Sequence, residues 1–235
     1  MIIDFHSHIL PGIDDGSKSV EQSIAMLQRH AQQGIKRVVA TPHFYPHSND
    51  PKRFLQARDQ AEASLRSQMQ AFSDLPELSI GAEVYYFNGI SDSEVLSQLT
   101  IDKKRYILLE MPMSDWTDRM YRDLEGIWIK QGLMPIIAHI DRYVSPLRTH
   151  GIPERLEHLP VLVQANASFF RNRSTRGMAL RMLRKEKIHL LGTDCHDLTE
   201  RTPNFADVIE LIRHKLGEES LYHIAHYQHE VLDTL

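Results

Sequence analysis

The chain has 235 residues, of which 42% are hydrophobic and 25% are charged, a composition typical of a globular protein with a sizeable core. Its formal net charge of −4 at pH 7 argues against nucleic acid or an anionic membrane surface as a partner. No apolar run approaches the ~18 residues that a membrane-spanning helix needs. Cys195 is the sole cysteine, so no disulfide can form within the chain, and we expect a reducing, cytoplasmic location.

The first sixteen residues combine a short apolar strand, a His-x-His motif and an acidic loop. The strand begins almost at residue 1, so we expect no signal peptide. His6 and His8 are two residues apart, and on an extended chain their side chains point the same way. Two such imidazoles can chelate one metal ion, although a solvated pair on an edge strand is the alternative. Asp14 and Asp15 follow as candidate oxygen ligands.

Strands and helices are predicted to alternate along the rest of the chain. Helices are expected from residue 20 to a stop at Gln33-Gly34, and over 52–72, 92–99, 118–131, 175–185, 204–216 and 219–227. After the N-terminal strand, buried strands are expected over 35–41, 78–84, 106–110, 134–139, 161–166 and 188–194.

Seven strands alternating with helices indicate an α/β fold with a parallel sheet. Polar residues at the strand ends resemble those of a closed α/β barrel, whose site lies at the C-terminal face of the strands. An open doubly wound sheet is the alternative, but it gathers ligands at one crevice between two strands. Because potential ligands follow at least six strands, we favour a barrel. With no repeat or linker, residues 1–235 are predicted to form a single domain.

Nine imidazole and carboxylate residues lie at these strand ends. Each one alone is better explained as a solvated or hydrogen-bonded side chain, but few of the strands end without one. Mixed histidine and carboxylate ligands suit Zn, Mn and Fe, and nine ligands exceed the needs of one ion. We therefore predict two or three ions that share a bridging carboxylate, held by His6, His8, Asp15, His43, Glu83, Glu110, His139, Asp194 and His196.

Several short motifs resemble those of the PHP (polymerase and histidinol phosphatase) superfamily. They are D-F-H-S-H, Asp15-Gly16, T-P-H at 41–43, G-x-E at 81–83, A-H-x-x-R-Y at 138–143 and T-D-C-H at 193–196. The segments D-F-H-S-H-I-L-P-G-I-D-D-G, A-T-P-H and Y-I-L-L-E-M-P resemble one branch, the bacterial manganese-dependent protein-tyrosine phosphatases that act on capsule and exopolysaccharide kinases. Glu110 stands where many other members have histidine. The resemblance runs from residue 1 to about residue 205.

This resemblance implies a distorted (β/α)7 barrel with three metal ions, Mn²⁺ with Fe, Zn or Mg as other occupants. It assigns the first ion to His6, His8, Glu83 and Asp194, the second to Glu83, Glu110 and His139, and the third to Asp15, His43 and His196. Alignment with the family's D-D-G motif favours Asp15 over the adjacent Asp14 as the ligand. The chain departs from the family's H-P-E-R at Ile140-Asp141, which leaves the role of Asp141 open, whereas Arg142 keeps its place.

The resemblance also implies the reaction, hydrolysis of phosphotyrosine on the tail of a bacterial tyrosine autokinase. Metal ions about 3.5–4 Å apart can clamp a phosphoryl group and generate hydroxide near neutral pH. We therefore expect a bridging hydroxide as nucleophile and no phosphoenzyme. Arg142 and Arg201 are predicted to contact the phosphate, because guanidinium groups match its geometry. A surface ion pair is the alternative for each.

Residues 195–201 match C-x5-R, the signature of cysteine-dependent tyrosine phosphatases. Those enzymes place a thiolate in a glycine-rich nest of backbone amides. Here the intervening residues include no glycine, and Asp197 and Glu200 would repel a phosphate dianion. Cys195 is therefore not expected to be a nucleophile.

Three other functions stay open at this point. A small-molecule phosphatase such as histidinol-phosphate phosphatase would use the same metal chemistry. A phosphoesterase acting on nucleic-acid ends is disfavoured, because the chain has no basic stripe interleaved with aromatic residues. A metal-stabilised regulatory module without turnover is the third. The sequence leaves the oligomeric state and the native metal undetermined.

Overall fold

The computed structural model describes residues 3–145 and 151–233, in which short strands alternate with helices. The strands are β1 (Ile3–Ser7), β2 (Arg37–Ala40), β3 (His43–Phe44), β4 (Glu77–Ile80), β5 (Glu83–Tyr85), β6 (Tyr106–Glu110), β7 (Met134–Ile137), β8 (Leu162–Asn166) and β9 (Leu190–Gly192). The helices are α1 (Val20–Gln32), α2 (Pro51–Met69), α3 (Leu96–Leu99), α4 (Asp118–Gln131), α5 (Ile152–Leu156), α6 (Ala167–Arg171), α7 (Arg176–Arg184), α8 (Ala206–Leu216) and α9 (Glu218–Asp233).

The strands pair in parallel in the orders β1-β2-β4 and β3-β5-β6-β7-β8-β9. β2 leads into β3, and β4 into β5, after a break of two residues. At the other edge, the backbone N–H of Asp194 donates to the carbonyl of His6 at 2.7 Å, and that of His8 to Cys195 at 2.9 Å. The chain therefore forms a curled, parallel half-barrel sheet. The predicted α/β class with parallel strands is confirmed.

The predicted strand over 35–41 forms as β2, and the short β3 that follows it was not predicted. Pro42 separates the two, because it has no N–H to donate to a neighbouring strand. The predicted strand over 78–84 is split into β4 and β5. It breaks at Gly81, where a Cβ atom would lie 3.1 Å from the Ile101 side chain. The split matters for the site, because β3 and β5 resume with His43 paired against Glu83.

Most helices agree with their prediction, and local capping explains the best case. α4 begins after Thr117, whose hydroxyl accepts from the Met120 N–H, and ends at Gly132 with a left-handed φ of 65°. The predicted helix over 92–99 is confirmed only over Leu96–Leu99, as the short α3, and a 3₁₀ turn at Ile90–Asp92 precedes it. α5 and α6 were not predicted, because five residues hold too little periodic pattern.

The C-terminal helix α9 covers the N-terminal ends of the strands. Its Val231 and Leu232 pack with apolar residues of β1, β6 and β9, and Gln228 donates to the carbonyl of Ile3 at 3.0 Å. This burial also explains why α9 continues past the predicted end at 227, to Asp233. The opposite, C-terminal ends of the strands are left to form the site.

None of the helices within residues 3–145 and 151–233 has both the length and the apolar character needed to cross a bilayer.

His189, just before β9, creates an acid-sensitive point in the fold. Its Nδ1 accepts the backbone N–H of Val163 at 3.0 Å, which requires the neutral ring. Burial, together with nearby His223, lowers the pKa of His189 to about 4 from an ordinary value of 6.5. The unfolded chain therefore takes up this proton before the folded chain does.

Acidification from pH 7 to pH 4 should accordingly cost up to about 3 kcal/mol of unfolding free energy through His189 alone. His189→Asn keeps an acceptor but has no titrating ring, so its stability should fall less over this range. Urea unfolding of both proteins at pH 7, 5.5 and 4.5 measures the difference. Equal losses in the two proteins would contradict the assignment.

Candidate metal centre

The structure brings all nine predicted ligands into one cluster at the C-terminal ends of the strands. β1 carries His6 and is followed by His8, β6 ends in Glu110, and the segments after β7 and β9 carry His139, Asp194 and His196. His43 and Glu83 come from the resumed strands, and the exposed loop after β1 adds Asp15. The residues that meet are His6, His8, Asp15, His43, Glu83, Glu110, His139, Asp194 and His196.

Glu83 lies at the centre of this cluster and is 1% exposed. Its Oε2 lies 3.2 Å from His6 Nε2, 3.3 Å from His8 Nε2 and 2.9 Å from His43 Nδ1. Its Oε1 lies 2.7 Å from Nε2 of His139. One buried carboxylate therefore faces four imidazoles from three parts of the chain.

The remaining ligands fall on either side of Glu83. Ligand atoms of His6, His8 and Asp194 lie within 4.8 Å of one another, as do those of His43, Glu83 and Glu110, and those of His8, Asp15, His43 and His196. His8 and His43 each belong to two of these groups, so neighbouring ion sites would share these residues. The assignment of each side chain to a particular ion stays a prediction.

Asp14 and Asp15 occupy different positions. Asp14 Oδ2 lies 2.7 Å from Nδ1 of His8 and also accepts the backbone N–H of His43. Asp15 Oδ1 lies 3.3 Å from His196 Nε2 and 3.5 Å from His43 Nε2. Asp15 thus faces the cluster, as predicted, whereas Asp14 orients the His8 ring, a role that the sequence did not suggest.

Two residues of the cluster have left-handed backbone. His139 has φ 32° and Asp194 has φ 55°, a region that side chains other than glycine rarely adopt. The Gln164 amide oxygen accepts the His139 N–H at 2.6 Å, and Asn166 donates to Asp194 Oδ2 at 3.0 Å. These amides hold the strained residues from β8. The one sequence signal for Gln164 and Asn166 was that they lie two residues apart at the end of a predicted strand.

A second buried triad, Asp4, His30 and Cys195, has metal-ligand spacing but a structural role. The Asp4 carboxylate lies 2.8 Å from His30 Nε2 and accepts both the N–H and the hydroxyl of Thr193. It also accepts the His6 N–H at 3.1 Å. Asp4 therefore has its lone pairs occupied, and it joins β1 to α1 and to the turn that carries Asp194.

Arg142 and Arg201 face the cluster and form ion pairs with its carboxylates, so their contact with a phosphate stays a prediction. Arg142 donates to Glu110 at 3.1 Å and to Asp194 at 2.8 Å. Arg201 lies 2.7 Å from Asp194 Oδ1. Both side chains are about one-third exposed, so each guanidinium reaches from solvent to the buried ligands.

The electrostatics of the cluster fit a cation. Burial alone would raise the pKa values of Glu83 and Asp194, but His6 and the other imidazoles hold both pKa values well below their usual range. Conversely, burial would lower the pKa of His8, yet the carboxylates around it raise that pKa well above 6.5. Buried ligand atoms without a hydrogen-bond partner include Glu83 Oε2, Asp194 Oδ1 and His196 Nε2. Such convergent imidazole and carboxylate atoms fit divalent metal ions.

Cys195 and Asp141 have no place among the reacting groups. Cys195 is fully buried, and burial, reinforced by Asp4, raises the pKa of its thiol well above the ordinary value. Its neutral, buried sulfur is unsuited to nucleophilic attack, as predicted. Asp141 accepts the Asn166 N–H at 2.9 Å, so the departure from H-P-E-R supports β8.

Residues 2–232 match the family model described as capsular polysaccharide synthesis, CpsB/CapC. The chain belongs to this family. It is 29% identical over 231 residues to the tyrosine-protein phosphatase CpsB of Streptococcus pneumoniae, covering 92% of this chain and 91% of that protein. It is 26% identical to the tyrosine-protein phosphatase YwqE of Bacillus subtilis, covering 94% of this chain and 87% of that protein.

The fold agrees with that of solved CpsB/CapC relatives. A structure from work on B. subtilis YwqE and S. pneumoniae CpsB, described as metal-dependent tyrosine phosphatases, superposes with a TM-score of 0.82. The match has 23% identity and covers 99% of this chain and 94% of the other. The branch of the superfamily indicated by the motifs is thereby confirmed.

Replacing Glu83 tests whether it is the shared ligand of this CpsB/CapC centre. Glu83→Gln keeps the size of the side chain but removes the charge that four imidazoles face. We expect the bound metal to fall by at least one ion per chain, measured by plasma mass spectrometry after dialysis. Glu77→Gln, at the exposed start of β4, is the matched control. Equal metal content in all three proteins would contradict the central place of Glu83.

Proposed function

We propose that this chain is a metal-dependent protein-tyrosine phosphatase. The observation that carries the proposal is the convergence of eight imidazole and carboxylate side chains around a ninth, Glu83, beside two arginines that face the same carboxylates. Its relatives CpsB and YwqE are named tyrosine-protein phosphatases, which supports the substrate class.

The centre is proposed to hold two or three ions, with Mn²⁺ as the native metal and Fe, Zn or Mg as other occupants. His6, His8, Glu83 and Asp194 would hold the first, Glu83, Glu110 and His139 the second, and Asp15, His43 and His196 the third. Bound ions would supply positive charge for the phosphoryl oxygens. They would also lower the pKa of a bound water molecule to near neutral pH. The donor set of imidazoles and carboxylates suits these metals.

The chain's own residues bind and orient the phosphoester. The Arg142 and Arg201 guanidiniums lie on the open side of the cluster, where they can take phosphoryl oxygens in a planar, bidentate manner. Tyr45 stacks on His43 with ring centroids 5.0 Å apart and is 38% exposed. An aryl group above the buried ligands would therefore meet the Tyr45 ring. Phenolate is a good leaving group, so the reaction needs no strong acid.

The curled sheet is proposed to be a distorted (β/α)7 barrel, in which β2-β3 and β4-β5 each count as one bent strand. The parallel bridge between Ser7 and Cys195, which brings the first and last strands together, supports this count. All nine ligands then lie at one face of the barrel, as in other α/β barrels.

The physiological substrate is proposed to be the phosphorylated tail of a tyrosine autokinase that controls capsule synthesis. The family description, capsular polysaccharide synthesis, supports that process. Such a tail would lie in the cytoplasm, which is our proposal for where this protein works.

A substrate panel tests the function. With added Mn²⁺, the protein should hydrolyse a phosphotyrosine peptide faster than histidinol phosphate or a 3′-phosphorylated oligonucleotide, and EDTA should stop the reaction. Release of phosphate is measured for each substrate. Undiminished turnover in EDTA would contradict metal dependence, and faster turnover of histidinol phosphate would contradict the substrate. Metal binding without any turnover would indicate a regulatory module.

Two substitutions separate this mechanism from a cysteine-dependent one. Arg142→Gln should lower kcat/KM for a phosphotyrosine peptide by about 10²–10³, because one positive group that faces the phosphoryl charge is lost. Cys195→Ala should keep kcat/KM within a few-fold of the parent and form no trapped phosphoenzyme. Loss of turnover in the folded, metal-loaded Cys195→Ala protein would contradict the metal mechanism.

A further inference from the structure

Positive charge is concentrated in one stretch of a chain that is negative as a whole. Residues 171–187, from the end of α6 through α7, contain seven arginines and lysines but one glutamate, whereas the net charge of the chain is −4. Arg173, Arg181, Arg184 and Lys185 are exposed. None of these four forms an ion pair with any residue that the structure describes. Their charge is therefore available to an external anion.

This stretch borders a surface depression of about 550 Å³, which we call the arginine groove. It is lined by Ser168, Arg171, Asn172, Arg176, Asp207 and Leu211. The acidic group in it, Asp207, lies 3.0 Å from Arg171 Nε, and both side chains are largely solvent-accessible. Such an exposed pair is weak, so an incoming anion can compete for Arg171.

The arginine groove continues towards the metal centre. A neighbouring depression shares Ser168 and Arg171 with it and reaches Asp194 and Arg201. Arg171 therefore lies between the exposed basic stretch and an arginine that contacts a predicted metal ligand. A peptide whose phosphotyrosine occupies the centre would pass Arg201 and then Arg171 if it left on this side.

We propose that the arginine groove binds acidic residues that flank the phosphotyrosine, so that the preferred substrate is an acidic or multiply phosphorylated peptide. This inference rests on the proposed phosphatase function. Guanidinium groups recognise carboxylate and phosphate in the same planar, bidentate way, so both kinds of flanking anion fit. A region of positive charge beside the site also raises the rate at which an anionic substrate encounters it.

The test compares three phosphotyrosine peptides: one with neutral flanking residues, one with Asp and Glu, and one with a second phosphotyrosine. For the parent protein, kcat/KM should be about tenfold higher for either anionic peptide than for the neutral one. Two exposed ion pairs between peptide and protein would supply a difference of this size. The ratio should shrink as salt is raised from 0.05 to 0.5 M, since exposed charges are screened. An advantage for the second phosphate alone would identify phosphate rather than carboxylate as the anion.

Arg171→Gln/Arg173→Gln should bring this ratio towards one. Arg53→Gln/Arg122→Gln, which removes the same charge from exposed positions on α2 and α4, should keep it. A ratio near one in the parent, or one that both double variants lower equally, would overturn the inference, and the parent measurement does not depend on how a variant folds. Hydrolysis of no phosphotyrosine peptide at all would instead contradict the proposed function.

The same proteins should be tested with vesicles of phosphatidylcholine and phosphatidylserine. If the Arg171→Gln/Arg173→Gln protein lost vesicle binding while its peptide ratio matched the parent's, the basic stretch would serve a lipid surface, and the peptide proposal would be wrong. Peptide selectivity without vesicle binding is the expected result.

Discussion

The Glu83 carboxylate, buried among four imidazoles, is the constraint on which the rest of the structure depends. A charge removed from water is costly unless it is paired, and here the compensation comes from residues scattered over the chain. The end of β1, β3 and the segment after β7 must therefore bring these imidazoles to within about 3 Å of one carboxylate. The curled parallel sheet does this, because its strands end at one face.

The supporting residues show how the protein maintains this arrangement. Asp14 orients His8, Gln164 accepts the N–H of His139, and Asp4 ties the start of β1 to the turn before Asp194. His139 and Asp194 keep left-handed backbone angles. Such angles persist where the surrounding contacts over-determine them, as they do at functional sites. The centre is therefore preorganised by buried hydrogen bonds as well as by its ligands.

The sequence was informative about the ligands and less so about their neighbours. All nine predicted ligands lie in one cluster. Imidazoles and carboxylates that recur at strand ends were an informative signal, because parallel strands end at one face of the sheet. Long elements with local caps, such as α4 after Thr117, were also predictable. The supporting roles of Asp14 and Gln164 were missed, since they depend on contacts with other parts of the fold. The break at Gly81 was missed because the apolar run continues through it, and β3 was missed because two residues hold too little periodic pattern.

Anomalous diffraction from crystals grown with Mn²⁺ tests the central claim most directly. Data collected on both sides of the Mn absorption edge locate the ions without reference to activity. We predict at least two peaks that share the Glu83 carboxylate, with His6, His43 and His139 among the surrounding ligands. Peaks confined to other surfaces, or an ordered cluster with no peak beside Glu83 at saturating Mn²⁺, would contradict this prediction.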